Sequence, residues 1–306
     1  MRDAFAAEIR SMIEGDPSIV LITGDLGFGV FDKIRKEFPN NFVNAGVAEQ
    51  NMTGIACGLA MEGFKVFTYS IANFATLRCL EQIRNDASYH ELNVNVVSVG
   101  AGFSYGPLGM SHHATEDLAI MRALPGVTIL SPATIGEARH ATQEIVKISG
   151  VGYLRIDKSH YDDSSIEIHD NFEVGKARRI REGRDISLFA TGGILQEAML
   201  AAEQLQNIGI ESRVVSFHTI KPIDTREILN AVSETKGIIT IEEHTVLGGL
   251  GSAVSEFCLE NASIPKAFMR IGLNDTFSSV VGSQKYLRKK YKMDADAIVE
   301  AAKKFF

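Results

Sequence analysis

Phe42-Val43-Asn44-Ala45-Gly46-Val47-Ala48-Glu49-Gln50-Asn51-Met52 carries a strand, a turn and a helix start in eleven residues. Phe42-Val43 reads as the end of a strand and Gly46 as a turn. Ala48 to Met61 reads as a helix, because the small or apolar residues Ala48, Met52, Ile55, Ala56 and Leu59 recur at helical spacing and give it one buried face. Glu49 falls in the first turn, three residues before Met52 and close to that face. In an α/β sheet the carboxyl ends of the strands line the ligand crevice. A desolvated carboxylate there could share a proton with a ring nitrogen. On position alone, a carboxylate complementing the helix macrodipole is the commoner explanation.

The same alternation continues outward. Ile19 to Ile22, Val94 to Val99, Val127 to Leu130 and Gly152 to Ile156 read as buried strands, and Thr76 to Ser88 and Ile135 to Ile148 as helices. Strands apolar on both faces and separated by helices imply a mainly parallel sheet covered on both sides. Asp157 to Asp170, which holds His160 and His169, is polar and poor in apolar runs, and reads as a linker. Beyond it, strands near Ile186 to Ala190, Ser212 to Ser216 and Ile238 to Ile241 alternate with helices from Leu195, Thr225 and Gly251. The fold class is therefore α/β with two domains, 1–165 and 172–306, each a mainly parallel sheet with helices on both faces. Strand order is not legible at this level.

With 306 residues the chain is long enough for two cores. A net charge of −7, with both signs mixed along the chain, argues against a nucleic-acid partner. No stretch approaches the roughly 18 uninterrupted apolar residues of a membrane span. Asp3 and Glu8 interrupt the N-terminus, so no signal peptide is expected. Cys57, Cys79 and Cys258 lie apart in apolar settings, as buried free thiols of a cytoplasmic protein would. No metal-ligand spacing appears among the histidines and cysteines.

Four ordered blocks change the odds for Glu49. Gly46-Val47-Ala48-Glu49-Gln50-Asn51-Met52 resembles the Gly-Ile-x-Glu-x-x-Met motif of the pyrimidine-binding domain in the transketolase family. Phe74-Ala75-Thr76 with Glu81-Gln82-Ile83-Arg84 resembles the aromatic strand and helix that follow that motif. Ser111-His112-His113-Ala114, with Glu116-Asp117 and Met121 to Gly126, resembles the family's next block, and Val127 to Ala133, ending Ser131-Pro132-Ala133, continues it as the fourth. Glu242-Glu243-His244 and Gly248-Gly249-Leu250-Gly251 are similar to its C-terminal domain, so the resemblance runs the whole length. It implies a transferase that uses thiamine diphosphate and Mg²⁺ to move a two-carbon ketol unit between sugar phosphates.

By this resemblance Glu49 hydrogen-bonds N1′ of the aminopyrimidine and helps the cofactor lose its reactive proton. Phe74 stacks on the pyrimidine, with Tyr69 nearby and Ile71 where the family often has another aromatic. His112 shuttles a proton on the substrate, assisted by His113, which replaces the usual glutamine. Arg2 and Arg155 grip a substrate phosphate. The family's Gly-Asp-Gly motif for diphosphate and Mg²⁺ is absent from the sequence. The resemblance therefore implies an N-terminal transketolase-like partner subunit that holds both groups, in a two-plus-two assembly.

Three departures bear on the substrate. Gly29 stands where the family has a phosphate-binding serine, and Gly100 where it has a substrate-contacting histidine. Leu108 stands where an acid meets a substrate hydroxyl, and leucine cannot accept a hydrogen bond. Ketol transfer on a deoxy or otherwise modified sugar fits these changes. So does the β-type subunit of a pyruvate-using synthase or 2-oxo acid dehydrogenase. A non-catalytic assembly subunit is the third reading, disfavoured by the joint presence of Glu49, Phe74 and His112. The Gly248 to Gly251 turn could cradle an anion at a helix start, or serve packing.

Overall fold

The structure, a computed structural model, describes residues 1–162 and 172–306. The boundary expected at 165, most of the linker beyond it, and His169 lie outside the described residues. Twelve strands are seen among those described. In the first half they are β1 (Ile19–Thr23), β2 (Phe42–Asn44), β3 (Lys65–Ile71), β4 (Val94–Val99), β5 (Thr128–Leu130) and β6 (Gly152–Ile156). The second half adds β7 (Arg178–Arg181), β8 (Ile186–Thr191), β9 (Ser212–Ser216), β10 (Thr219–Lys221), β11 (Ile238–Thr245) and β12 (Phe268–Leu273).

They form two sheets, in the orders β10-β5-β6-β4-β3-β1-β2 and β12-β11-β8-β9-β7. All pairings are parallel except β10 with β5 and β7 with β9. The α/β expectation of two mainly parallel sheets holds. The central strand β4 explains why: all six of its residues are buried, so both faces of the sheet must be covered.

One face of the first sheet carries Val20, Ile22, Val66 and Val96 against Met52, Ala56 and Cys57 of the helix Glu49–Met61. Burying Met52 completely is worth about 1.5–3 kcal/mol. This packing fixes the helix start at the carboxyl edge of the sheet. The opposite face is covered by Phe5, Ile9 and Ile13 of the helix Arg2–Gly15, with Ala138, Ala141 and Ile145 of the helix Ile135–Ile145.

Two features differ from the sequence reading. Thr76 to Ser88 is not one continuous helix but a 3-10 turn, a short α turn and a π segment over Ile83–Ser88. Phe74 lies in the helical turn Ala72–Ala75 rather than on a strand, which swings it out at the end of β3. The two halves also share structure: β10 comes from the second half yet completes the first sheet, Thr219 pairing with Leu130. Phe189, Phe217, Ile228 and Leu250 belong to the same continuous core as Val20 and Met52.

Candidate active site

The loops after β1, β3, β4 and β6 meet at the carboxyl edge of the first sheet, and Glu49 lies among them. Its side chain is 5% exposed, low for a carboxylate. The Arg78 Nη1 donates to both its oxygens, 3.2 Å from each. The same guanidinium lies over the Phe74 ring, with Cζ 3.6 Å from the centroid. His112 meets Phe74 edge-on at 5.1 Å between centroids, and its Nδ1 is 3.0 Å from Ser111 Oγ. Glu49, Arg78, Phe74 and His112 thus form one contiguous group. Asn73 anchors the loop to it by donating to the carbonyls of Ser111 and His113. A Cβ added to Gly24 would stand 3.4 Å from Glu49 Cγ and 3.6 Å from Ser70 Oγ, so the turn after β1 passes over the carboxylate. Ser70 Oγ is buried there without a hydrogen-bond partner among the described residues.

Other expected site residues are placed differently. Tyr69 faces inward. It is core, 2% exposed, stacked on Phe5 at 5.9 Å and edge-on to Phe31 at 4.8 Å, and burial pushes its hydroxyl pKa up. Ile71 is buried at the end of β3. His113 is buried edge-on to Phe103, its Nε2 3.2 Å from the Gly106 carbonyl, and burial lowers its pKa. That placement makes it a prop for the loop, leaving His112 as the histidine that faces Phe74. Leu108 is exposed on the turn Gly106–Leu108.

Arg155 is a correction. It is 1% exposed and gives its donors to Asp117 at 2.7 and 3.2 Å and to the carbonyls of Ala114 and Glu243. Desolvation opposes its charge, but Asp117 outweighs that and raises the pKa. Inside the strand, under a buried acid, its Nε and Nη2 are committed to the protein and the side chain is sealed from a substrate phosphate. Lys158, three residues on and past the strand end, takes the exposed position. Its Nζ lies 3.8 Å above the Tyr105 ring, and Tyr105, Lys158, Arg2 and the N-terminal Met1 line a cavity of about 300 Å³. Partial desolvation, then Arg2, lowers the Lys158 pKa. Arg2, paired with Asp3 at 2.9 Å, also borders a second cavity of about 530 Å³ that includes Gly29.

Tyr105 explains the Gly100 departure. Gly100 has φ +97°, and a Cβ there would come within 2.1 Å of the Tyr105 ring. A histidine at 100 and this tyrosine placement exclude each other. Arg78 was legible in principle: it follows Phe74 by four residues, the spacing that stacks side chains on one helical face. Lys158 carried a weaker signal, as the first cation beyond the strand.

A second polar cluster buttresses the site loops. Glu243 accepts from Gln284 at 2.9 Å, from the Phe103 amide and from Arg288, while Ser104 donates to Asp157 at 2.7 Å. Burial raises the Glu243 pKa. At the Gly248 to Gly251 turn, the helix start holds the chain's own Glu242, which accepts from the Leu250 and Gly251 amides at 2.8 and 2.9 Å. Among the described residues no three His, Cys, Asp or Glu side chains gather as a metal site would require.

The chain matches the transketolase pyrimidine-binding domain over residues 1–163 and the transketolase C-terminal domain over residues 175–298. It is 35% identical to the 6-deoxy-6-sulfo-D-fructose transketolase subunit of Clostridium sp. (strain MSTE9), over 99% of this chain and 93% of that one. It is 36% identical to an apulose-4-phosphate transketolase subunit of Actinobacillus succinogenes, over 99% of this chain and 96% of that one. A solved split-gene transketolase, described as an inactive β4 tetramer, superposes with a TM-score of 0.88 at 34% identity, covering 99% of this chain and 96% of that one. The chain therefore belongs to the transketolase family, as a transketolase-like subunit that joins its pyrimidine-binding and C-terminal domains. The family implies thiamine diphosphate. A buried carboxylate beside an aromatic face, with an unpartnered hydroxyl at Ser70, suits an aminopyrimidine ring.

Proposed function

We propose that this chain supplies the cofactor-activating half of a transketolase that moves a two-carbon ketol unit between sugars bearing a terminal anion. One observation carries the reading: Glu49 is buried at the helix start beside the Phe74 face, with His112 at the edge of the same ring. When bound, thiamine diphosphate supplies a carbanion-stabilising thiazolium. Glu49 would hold a proton at the pyrimidine N1′, Phe74 would stack on that ring, and His112 would move a proton at a substrate oxygen. Lys158 and Arg2 would draw the anionic end of the sugar into the cavity beside Tyr105. Leu108 presents no acceptor to a substrate hydroxyl, which favours a deoxy or modified sugar; the same feature keeps a pyruvate donor as the second reading.

The diphosphate and Mg²⁺ would be held by an N-terminal transketolase-like partner subunit, in a two-plus-two assembly. The absence of Gly-Asp-Gly from the sequence and the subunit names of the relatives support this. No helix among the described residues is long and apolar enough to cross a membrane, and three buried free thiols support a cytoplasmic setting. The test is co-expression with the partner and assay of cofactor-dependent turnover on ketose phosphates, sulfonated and deoxy ketoses, and pyruvate. Turnover of ketose donors, lost in Glu49→Gln with assembly intact, is the expected result. Turnover of pyruvate alone would reject ketol transfer, and unchanged activity in Glu49→Gln would reject the role of the carboxylate.

A further inference from the structure

Arg78 touches both groups that the pyrimidine needs. Its Nη1 spans the two Glu49 oxygens at 3.2 Å each, and its planar guanidinium lies 3.6 Å over the Phe74 ring. A ring stacked on that face and hydrogen-bonded to that carboxylate requires the same volume. Guanidinium mimics it closely: it is flat, it donates in its plane, and it stacks on aromatic faces. Glu49 is 5% exposed, so a carboxylate left there without a cation or a donor would be costly. The Arg78 side chain is 46% exposed, so it can leave into solvent on its own flexible stem.

We propose that Arg78 competes with the pyrimidine ring for Glu49 and Phe74, holding the pocket filled in the free chain and setting the affinity for the cofactor. This rests on the reading of Glu49 and Phe74 given above. Binding is then an exchange: the ring displaces the guanidinium, the Glu49–Arg78 hydrogen bonds are replaced by one to the ring, and Arg78 swings outward. The lone chain, with its pocket closed by its own side chain, binds the cofactor weakly for a reason separate from the lack of a diphosphate site.

The test uses the full chain, alone and assembled with its partner, and a probe that needs no diphosphate site: 4-amino-5-hydroxymethyl-2-methylpyrimidine. Its binding to the lone chain is measured by calorimetry for wild type, Arg78→Met and the Glu49→Gln/Arg78→Met double variant. Removing the competitor should tighten binding about tenfold, equivalent to roughly 1.4 kcal/mol, and the double variant should lose that gain. Thiamine diphosphate should likewise bind the assembled Arg78→Met enzyme more tightly, and the lone Arg78→Met chain should melt a few degrees lower because Glu49 is left unpaired. Equal or weaker binding in Arg78→Met, or no binding to any variant, overturns the proposal. A cofactor affinity of the assembled enzyme that ignores Glu49→Gln would instead sink the role of Glu49, whatever Arg78 does, so the two failures are distinct. Arg78→Lys, which keeps charge but not the flat stacking face, should fall between wild type and Arg78→Met.

Discussion

Glu49 with Arg78 and Asp117 with Arg155 are the same pair of side chains in chemistry, set in opposite surroundings. Asp117 and Arg155 are both fully buried and tied into further bonds: Asp117 also accepts from Tyr153 at 2.6 Å, and Arg155 Nη2 also holds two carbonyls. Glu49 is buried as deeply as a carboxylate usually gets, but its arginine is half in solvent and binds it with one nitrogen. The first pair ties β6, the loop before the helix Asp117–Ala123 and the end of β11 into one body. The second can be taken apart by a ligand at small cost. Whether the arginine is sealed in with its acid, rather than charge, separates a structural pair from a site.

The comparison can be broken at either end. The largest expected effect is on turnover: Glu49→Gln in the assembled enzyme should lower kcat by about 10²–10⁴-fold, with melting temperature nearly unchanged. Arg155→Met should do the reverse. Leaving Asp117 buried without its cation costs about 3–5 kcal/mol, read as a lower urea midpoint, and adding Asp117→Asn should recover part of it. A variant Arg155→Met that melts like wild type but binds anionic substrate poorly would return Arg155 to the site.

His218 tests the buried interior by pH. Burial, then the Arg178 charge, lowers its pKa from 6.5 to about 3, and the ring stacks on Phe172 at 4.2 Å. The unfolded chain binds the proton first as pH falls, so stability is full above pH 6.5 and is lost between 6.5 and about 3. The loss should reach a few kcal/mol, at ~1.4 kcal/mol per pH unit, and His218→Gln should flatten it; a parallel pH profile in that variant would discount the histidine. The smallest effect is expected at Lys158, where Lys158→Ala should raise KM for an anionic sugar about tenfold with kcat little changed, consistent with one charge-assisted contact. The difference should shrink at high salt, because Lys158 is exposed. An unchanged KM would remove Lys158 from the substrate path.

Much of the fold is legible in the residues. Val94 to Val99 and Gly152 to Ile156 coincide with β4 and β6 because short, mainly apolar runs with apolar residues on both faces mark a buried parallel strand, even with Asn95, Ser98 and Arg155 among them. The apolar run of β11 stops at Ile241, although the strand continues through Glu242, Glu243 and His244 to Thr245. Three ionisable residues look like a strand end. They stay in the strand because Glu242 accepts from the amides at the start of the helix Leu250–Glu260, Arg288 and Gln284 hold Glu243, and the Ala119 amide meets His244. Those partners lie far away in the chain, so no local pattern announces them.

Residue periodicity sets the two α/β units and the helix that carries Glu49, and the ordered motifs point to Phe74 as its aromatic neighbour. Long-range packing settles which arginine is sealed with its acid, Arg155, and which stays half in solvent, Arg78. Arg155 and Lys158 differ by three positions, and Tyr69 and Phe74 by five, yet Arg155 and Tyr69 are sealed in the core while Lys158 lines the cavity beside Tyr105 and Phe74 meets Arg78 and His112. The side a residue faces at the edge of a sheet depends on where the strand stops and on what packs across it, and both are set by residues remote in sequence.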